Sequence, residues 1–193
     1  MIQAIRAALS MRTNGLLRAR LLRPTTVRRF MRGEEGIAAV EFGIVAAPFL
    51  ALMFAIMETA VVFFASQTLE TAVADSARLI MTGQAQSQGF TQAQFKTAVC
   101  SRILGLFDCQ NGIQIDVKTY SSFSSVSTAK PFDANGNLLT NFTYTPGNPG
   151  DIVVVRLMYQ WPIYVSLLGF NLADMAGGKR LIIATATFRN EPY

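Results

Sequence analysis

The segment from Ile37 to Ser66 decides most of what this chain can become. It reads IAAVEFGIVAAPFLALMFAIMETAVVFFAS, and Glu41 and Glu58 are its only charged residues. Phe42 to Met57 is charge-free, and a second apolar run follows Glu58 as far as Ala65. A bilayer-crossing helix needs about 20 mainly apolar residues. The segment reaches that length with Glu58 near one interface, about 25 Å along the helix from Glu41, where it reads as a solvated flank. A buried core helix is the alternative, but so long an apolar stretch would need an unusually thick domain around it. Pro48, mid-segment, removes one helical hydrogen bond and predicts a kink that spanning helices tolerate.

Charge gives the span a direction. The chain has 193 residues and a formal net charge of +5. Its first 36 residues hold eight arginines (Arg6, Arg12, Arg18, Arg20, Arg23, Arg28, Arg29 and Arg32) against Glu34 and Glu35, whereas the remainder has nine basic and ten acidic residues. By the positive-inside rule the N-terminus is cytoplasmic and the residues after 66 lie outside. The basic segment carries no interleaved aromatic platform, so no nucleic-acid partner is expected. Histidine is absent, which removes Ser-His and Cys-His catalysis and His-based metal sites. Two cysteines alone cannot build a structural zinc site. No enzyme activity, cofactor, metal or small-molecule substrate is expected.

Glu41 is the residue that needs explaining, because an acid inside a span costs about 3 kcal/mol and marks function by default. Arg32-Gly-Glu-Glu-Gly36 ends the hydrophilic part just upstream. A cut after Gly36 would create an α-amine on Ile37, one helical turn from Glu41. With a pKa of about 7.7–8 that amine is largely charged. Paired with Glu41, in the same chain or in a neighbour, it makes both ions tolerable in an apolar zone. The helix N-terminus favours the carboxylate as well.

Gly36-Ile37-Ala38-Ala39-Val40-Glu41-Phe42 resembles the processing motif of type IV prepilins. More narrowly, GIAAVEFGIVAAPFL resembles the TadE-like pseudopilins of the tight-adherence (Tad/Flp) pilus, as does the C-terminal Phe188-Arg-Asn-Glu-Pro-Tyr193. The resemblance implies a single-pass bacterial inner-membrane protein with a periplasmic C-terminal domain. It also implies a prepilin peptidase cutting between Gly36 and Ile37, and assembly directed by Glu41 and Phe42. The implied partners are that peptidase, other pseudopilin or pilin subunits, the pilus assembly platform and the membrane. An ordinary secretory signal fits less well, its apolar core being shorter, and the context of Arg28-Arg29 is loose for a twin-arginine signal. The remaining alternative is an unprocessed bitopic protein whose outer domain is a sensor or scaffold.

Beyond the span, Leu69, Val73, Ala77 and Ile80 continue a helical stripe, stopped by Thr82-Gly83. Thr91 to Gln94 reads as a capping box opening a helix that carries Phe95, Val99, Ile103 and Leu104 and ends near Gly105 to Phe107. The spacing of Cys100 and Cys109 allows a disulfide in an oxidising compartment; two small buried thiols are the alternative. Ile113 to Tyr120 alternates as a strand with one buried face. Residues 121–151 are rich in turn formers and read as a flexible surface excursion. Ile152 to Trp161 and Leu181 to Phe188 are strands, and Ile163 to Met175 reads as a short helix. Trp161, Tyr164, Phe170 and Leu172 belong either to the core or to a partner- or membrane-facing patch. The expected class is α+β: a long N-terminal helix, a second helix, and an antiparallel sheet of three or four strands. The expected organisation is a cytoplasmic leader over 1–36, a transmembrane helix over 37–66 and an extracytoplasmic domain over 67–193.

Overall fold

A computed structural model describes residues 34–103, 105, 107–127, 129–166 and 171–193. Residues 1–33 with all eight leader arginines, Leu104 and Phe170 lie outside the described residues. The chain divides into two units, Met1–Phe49 and Leu50–Tyr193. In the first, the described residues from Glu34 onward are helical. They belong to α1 (Glu34–Met81), which contains Pro48.

In the second unit the predicted stripe is what packs. Leu69, Val73, Ala77 and Ile80 are buried, joined by Ala65, Ala72 and Phe95 in one core cluster. Gly83 ends α1 with φ of 75°, a left-handed conformation that glycine adopts without penalty. The Tyr193 ring fills the space that a Cβ on Gly83 would need. The short α2 (Gln84–Ser87) follows, then α3 (Gln92–Cys100). The capping box at α3 is formed: Thr91 Oγ1 accepts from the Gln94 N–H and Gln94 Oε1 from the Thr91 N–H, at 3.3 and 2.8 Å.

The α3 helix stops at Cys100 rather than near Gly105. Cys100 is disulfide-bonded to Cys109 with Cα atoms 5.7 Å apart. Nine further residues of straight helix would separate them by about 13 Å, so the chain has to turn back. Asp108 then caps α4 (Cys109–Gly112), accepting from the Asn111 N–H.

Strands β1 (Gln114–Tyr120), β2 (Ile152–Pro162) and β3 (Lys179–Arg189) form an antiparallel sheet in the order β1-β2-β3. The register pairs Val117 with Val155 and Leu157 with Ala184. Side chains alternate across a sheet, so Ile115, Val117, Val153, Val155, Leu157, Ile182 and Ala184 share one face. All seven sit in the core cluster with the helices.

The alternation of β1 predicts one buried face for that strand, but the other face of the sheet is covered too. Val154, Met158 and Asp116 are buried on it. Arg156, on the same face, donates to the Ser127 and Ala129 carbonyls. Asp116 Oδ1 accepts from the Thr143 N–H at 3.1 Å, and its other oxygen meets Lys118 Nζ at 3.0 Å. The 121–151 excursion therefore lies over this face, which explains why β2 reads as a continuous apolar run. The same excursion lines the edge of β1: the Val117 N–H donates to the Thr143 carbonyl and the Thr145 N–H to the Val117 carbonyl, at 2.8 and 2.9 Å. There Tyr144 packs on Phe95, ring centroids 5.5 Å apart. Its buried hydroxyl has no hydrogen-bond partner among the described residues, and burial pushes its pKa up to about 12.

The helix expected over Ile163–Met175 is absent from its described parts. Residues 163–166 and 171–174 are neither helix nor strand, and Met175 bridges to Lys179. Side chains and strand ends take the backbone groups instead. The Ile163 N–H goes to the Gly178 carbonyl, and the N–H groups of Tyr164 and Val165 go to Glu58. Asp174 accepts from the Leu181 N–H at 2.8 Å and pairs with Lys130. Partial burial opposes ionisation of Asp174, but the Lys130 ammonium, the Leu181 N–H and Arg180 outweigh it and hold its carboxyl below the usual range.

Candidate functional site

The functional candidates on α1 stand in an exposed apolar belt. In the first unit, Ile37, Val40, Phe42, Ile44, Val45 and Phe49 are all exposed, Phe42 by 75%. Glu41 is exposed among them, with no hydrogen bond or ion pair to its side chain among the described residues. Gly36 is half-buried and Ile37 exposed. Both lie on the helical residues that begin the described part of α1.

In the second unit the belt continues on α1 as Leu50, Leu52, Phe54, Ile56, Val61, Phe63 and Phe64, all exposed. The helix is long and apolar enough to cross a membrane, and the apolar window on which that rests has none of its residues buried. A soluble core helix buries its apolar side chains. The exposed belt is what a bilayer covers in a single-pass membrane protein.

Glu58 does not behave as the solvated flank that its sequence position suggests. Glu58, Val62, Ala65 and Leu69 recur at helical spacing on one face, and the last three are buried. The glutamate thus extends the domain-facing stripe by one turn. Its Oε1 accepts from the Tyr164 N–H at 2.6 Å, and its Oε2 from the Val165 N–H at 3.1 Å. Hydrogen bonds to an ionised carboxylate are roughly twice as strong as neutral ones. The signal that could have found this contact is the register of Glu58 with Val62 and Ala65. What sequence cannot supply is a partner 106 residues away.

Of the suspected patch, Trp161 belongs with the core: its ring lies edge-on to Phe107 at 5.9 Å, beside Tyr159 at 6.1 Å. Tyr164 is 82% exposed and Leu172 half-buried. The C-terminal segment binds the fold together. The buried Asn190 donates through Nδ2 to the Pro146 and Asn148 carbonyls, each at 3.0 Å. The Glu191 N–H donates to the Met81 carbonyl at the end of α1, at 2.9 Å.

The comparison with protein families falls on this same helix. Residues 36–78 match the TadE-like protein family. The match starts at Gly36 and ends inside α1. No curated protein and no solved structure matches the chain. The TadE-like segment therefore covers the apolar belt, Glu41, Glu58 and the buried stripe as far as Ala77, and leaves Ile80 and the sheet outside it. The TadE-like family is not an enzyme family, and among the described residues no three His, Cys, Asp or Glu side chains converge as a metal site.

Proposed function

We propose that this protein is a minor, pilin-like subunit of the inner membrane that takes part in assembling an adhesive pilus of the Tad/Flp type. The observation that carries the reading is the TadE-like match over an exposed apolar helix containing Glu41. A prepilin peptidase removes residues 1–36 on the cytoplasmic side. The mature chain begins at Ile37, and its domain faces the periplasm. Work is done by packing: the apolar helix meets those of other pilin or pseudopilin subunits and the assembly platform. Glu41 pairs with an Ile37 amine, which sets the register between neighbours, and Phe42 packs beside that pair. The discarded leader carries the surplus positive charge that orients the span.

Deleting the gene from a piliated host tests this. Surface pili are expected to fall to near zero while the major pilin accumulates in the membrane, and the full chain supplied in trans restores them. Normal piliation would instead favour an unprocessed sensor or scaffold.

A further inference from the structure

The chain leaves β2 at Pro162, and its next three backbone donors leave the sheet in order. Ile163 still bonds to the Gly178 carbonyl, whereas Tyr164 and Val165 bond to Glu58 on α1. Those two donors end on a carboxylate standing one turn before Val62, the first buried residue of the domain-facing stripe. On the remaining faces of this stretch the apolar belt is exposed: Ile56, Val61, Phe63 and Phe64 flank Glu58. The loop is thus tied where the exposed belt meets the packed domain, with the Tyr164 side chain 82% exposed. From Leu157 to Ala173 the sequence has no charged residue.

We propose that residues 163–166 form a foot that rests in the headgroup region of the bilayer, with Tyr164 as its interfacial anchor and Glu58 as the clasp holding it to the span. Continuity with the apolar belt selects lipid as the occupant, because the surface that covers Ile56, Val61 and Phe63 meets Tyr164 next. A tyrosine suits that depth, its ring facing the acyl region and its hydroxyl the water. The clasp also serves Glu58: two N–H donors replace water around a carboxylate that would be costly near hydrocarbon. The inference rests on α1 spanning the membrane and is independent of the pilus reading.

The test uses the full chain in phosphatidylcholine vesicles, with and without a phosphatidylcholine spin-labelled at the fifth acyl carbon. Trp161 is the only tryptophan, so Trp161→Phe gives a silent background for single reporters at three places. Leu52→Trp reports on the span and Tyr164→Trp on the foot. Phe123→Trp reports on the far end of the sheet, since Tyr120 pairs with Ile152, ten residues before Pro162. The Tyr164→Trp reporter is expected to be quenched roughly twofold or more, as is Leu52→Trp, while Phe123→Trp is unaffected. Adding Glu58→Ala is expected to abolish most of the quenching at position 164 and none at position 52. Quenching at 52 without quenching at 164 overturns the foot and leaves the span standing; no quenching at 52 overturns both. Quenching at 164 that survives Glu58→Ala overturns the clasp.

Discussion

Replacing Glu41 by alanine is expected to leave the protein in the membrane and to reduce surface pili at least about a hundredfold. Alanine makes the helix more apolar, so insertion is not impaired. What would be lost, on the proposed function, is the partner of the Ile37 amine in the assembled state. Breaking a desolvated ion pair by removing one member costs about 3–5 kcal/mol, because the other charge is left uncompensated. The exposure of Glu41, and the absence of any side-chain partner for it among the described residues, fit a carboxylate reserved for a neighbour. Counting pili by electron microscopy, with the variant quantified in the membrane fraction, separates assembly from insertion. Glu41→Gln keeps a hydrogen-bond acceptor and loses the charge, and should fall between wild type and alanine. Unchanged piliation in Glu41→Ala would remove the proposed role.

Phe95→Ala should produce the largest stability loss of any single side-chain truncation in the domain. Phe95 is fully buried; it stands on α3 against Tyr144 and shares the core with Leu69, Ile80 and Val117. Truncating a buried phenylalanine costs about 3–5 kcal/mol in transfer and cavity terms together. For a chain of this size that lowers the melting temperature by roughly 10 °C. The full chain in detergent can be followed by the emission of Trp161, which lies with Phe107 and Tyr159 and reports on the domain rather than the span. A drop of only a degree or two would mean that Phe95 is not the centre of the core.

Much of this was legible in the sequence because it depends on local period and chemistry. The span, the stripe of Leu69, Val73, Ala77 and Ile80, the capping box at Thr91 and the strand ending at Pro162 each follow from a few neighbouring residues. The misreadings concern groups whose partners are far along the chain. Ile163 to Met175 has the apolar composition of a short helix, but the N–H groups of Tyr164 and Val165 are taken by Glu58. Glu58 looked like a solvated flank because its two donors lie more than a hundred residues later. The second buried face of β1 carries Asp116, which receives the Thr143 N–H, and no periodicity in 121–151 announces that packing. The early end of α3 has a nearer cause, a cysteine nine residues on that has to come back to a Cα distance of 5.7 Å.

The central claim is that the chain is a pilin-like subunit made by cleavage after Gly36. Cleavage removes all eight leader arginines and turns Ile37 into a charged terminus. N-terminal sequencing of the protein extracted from membranes, with and without the prepilin peptidase, tests it most directly. The expected result is Ile-Ala-Ala-Val-Glu when the peptidase is present and an uncut leader when it is absent. An intact leader in both samples would contradict the account.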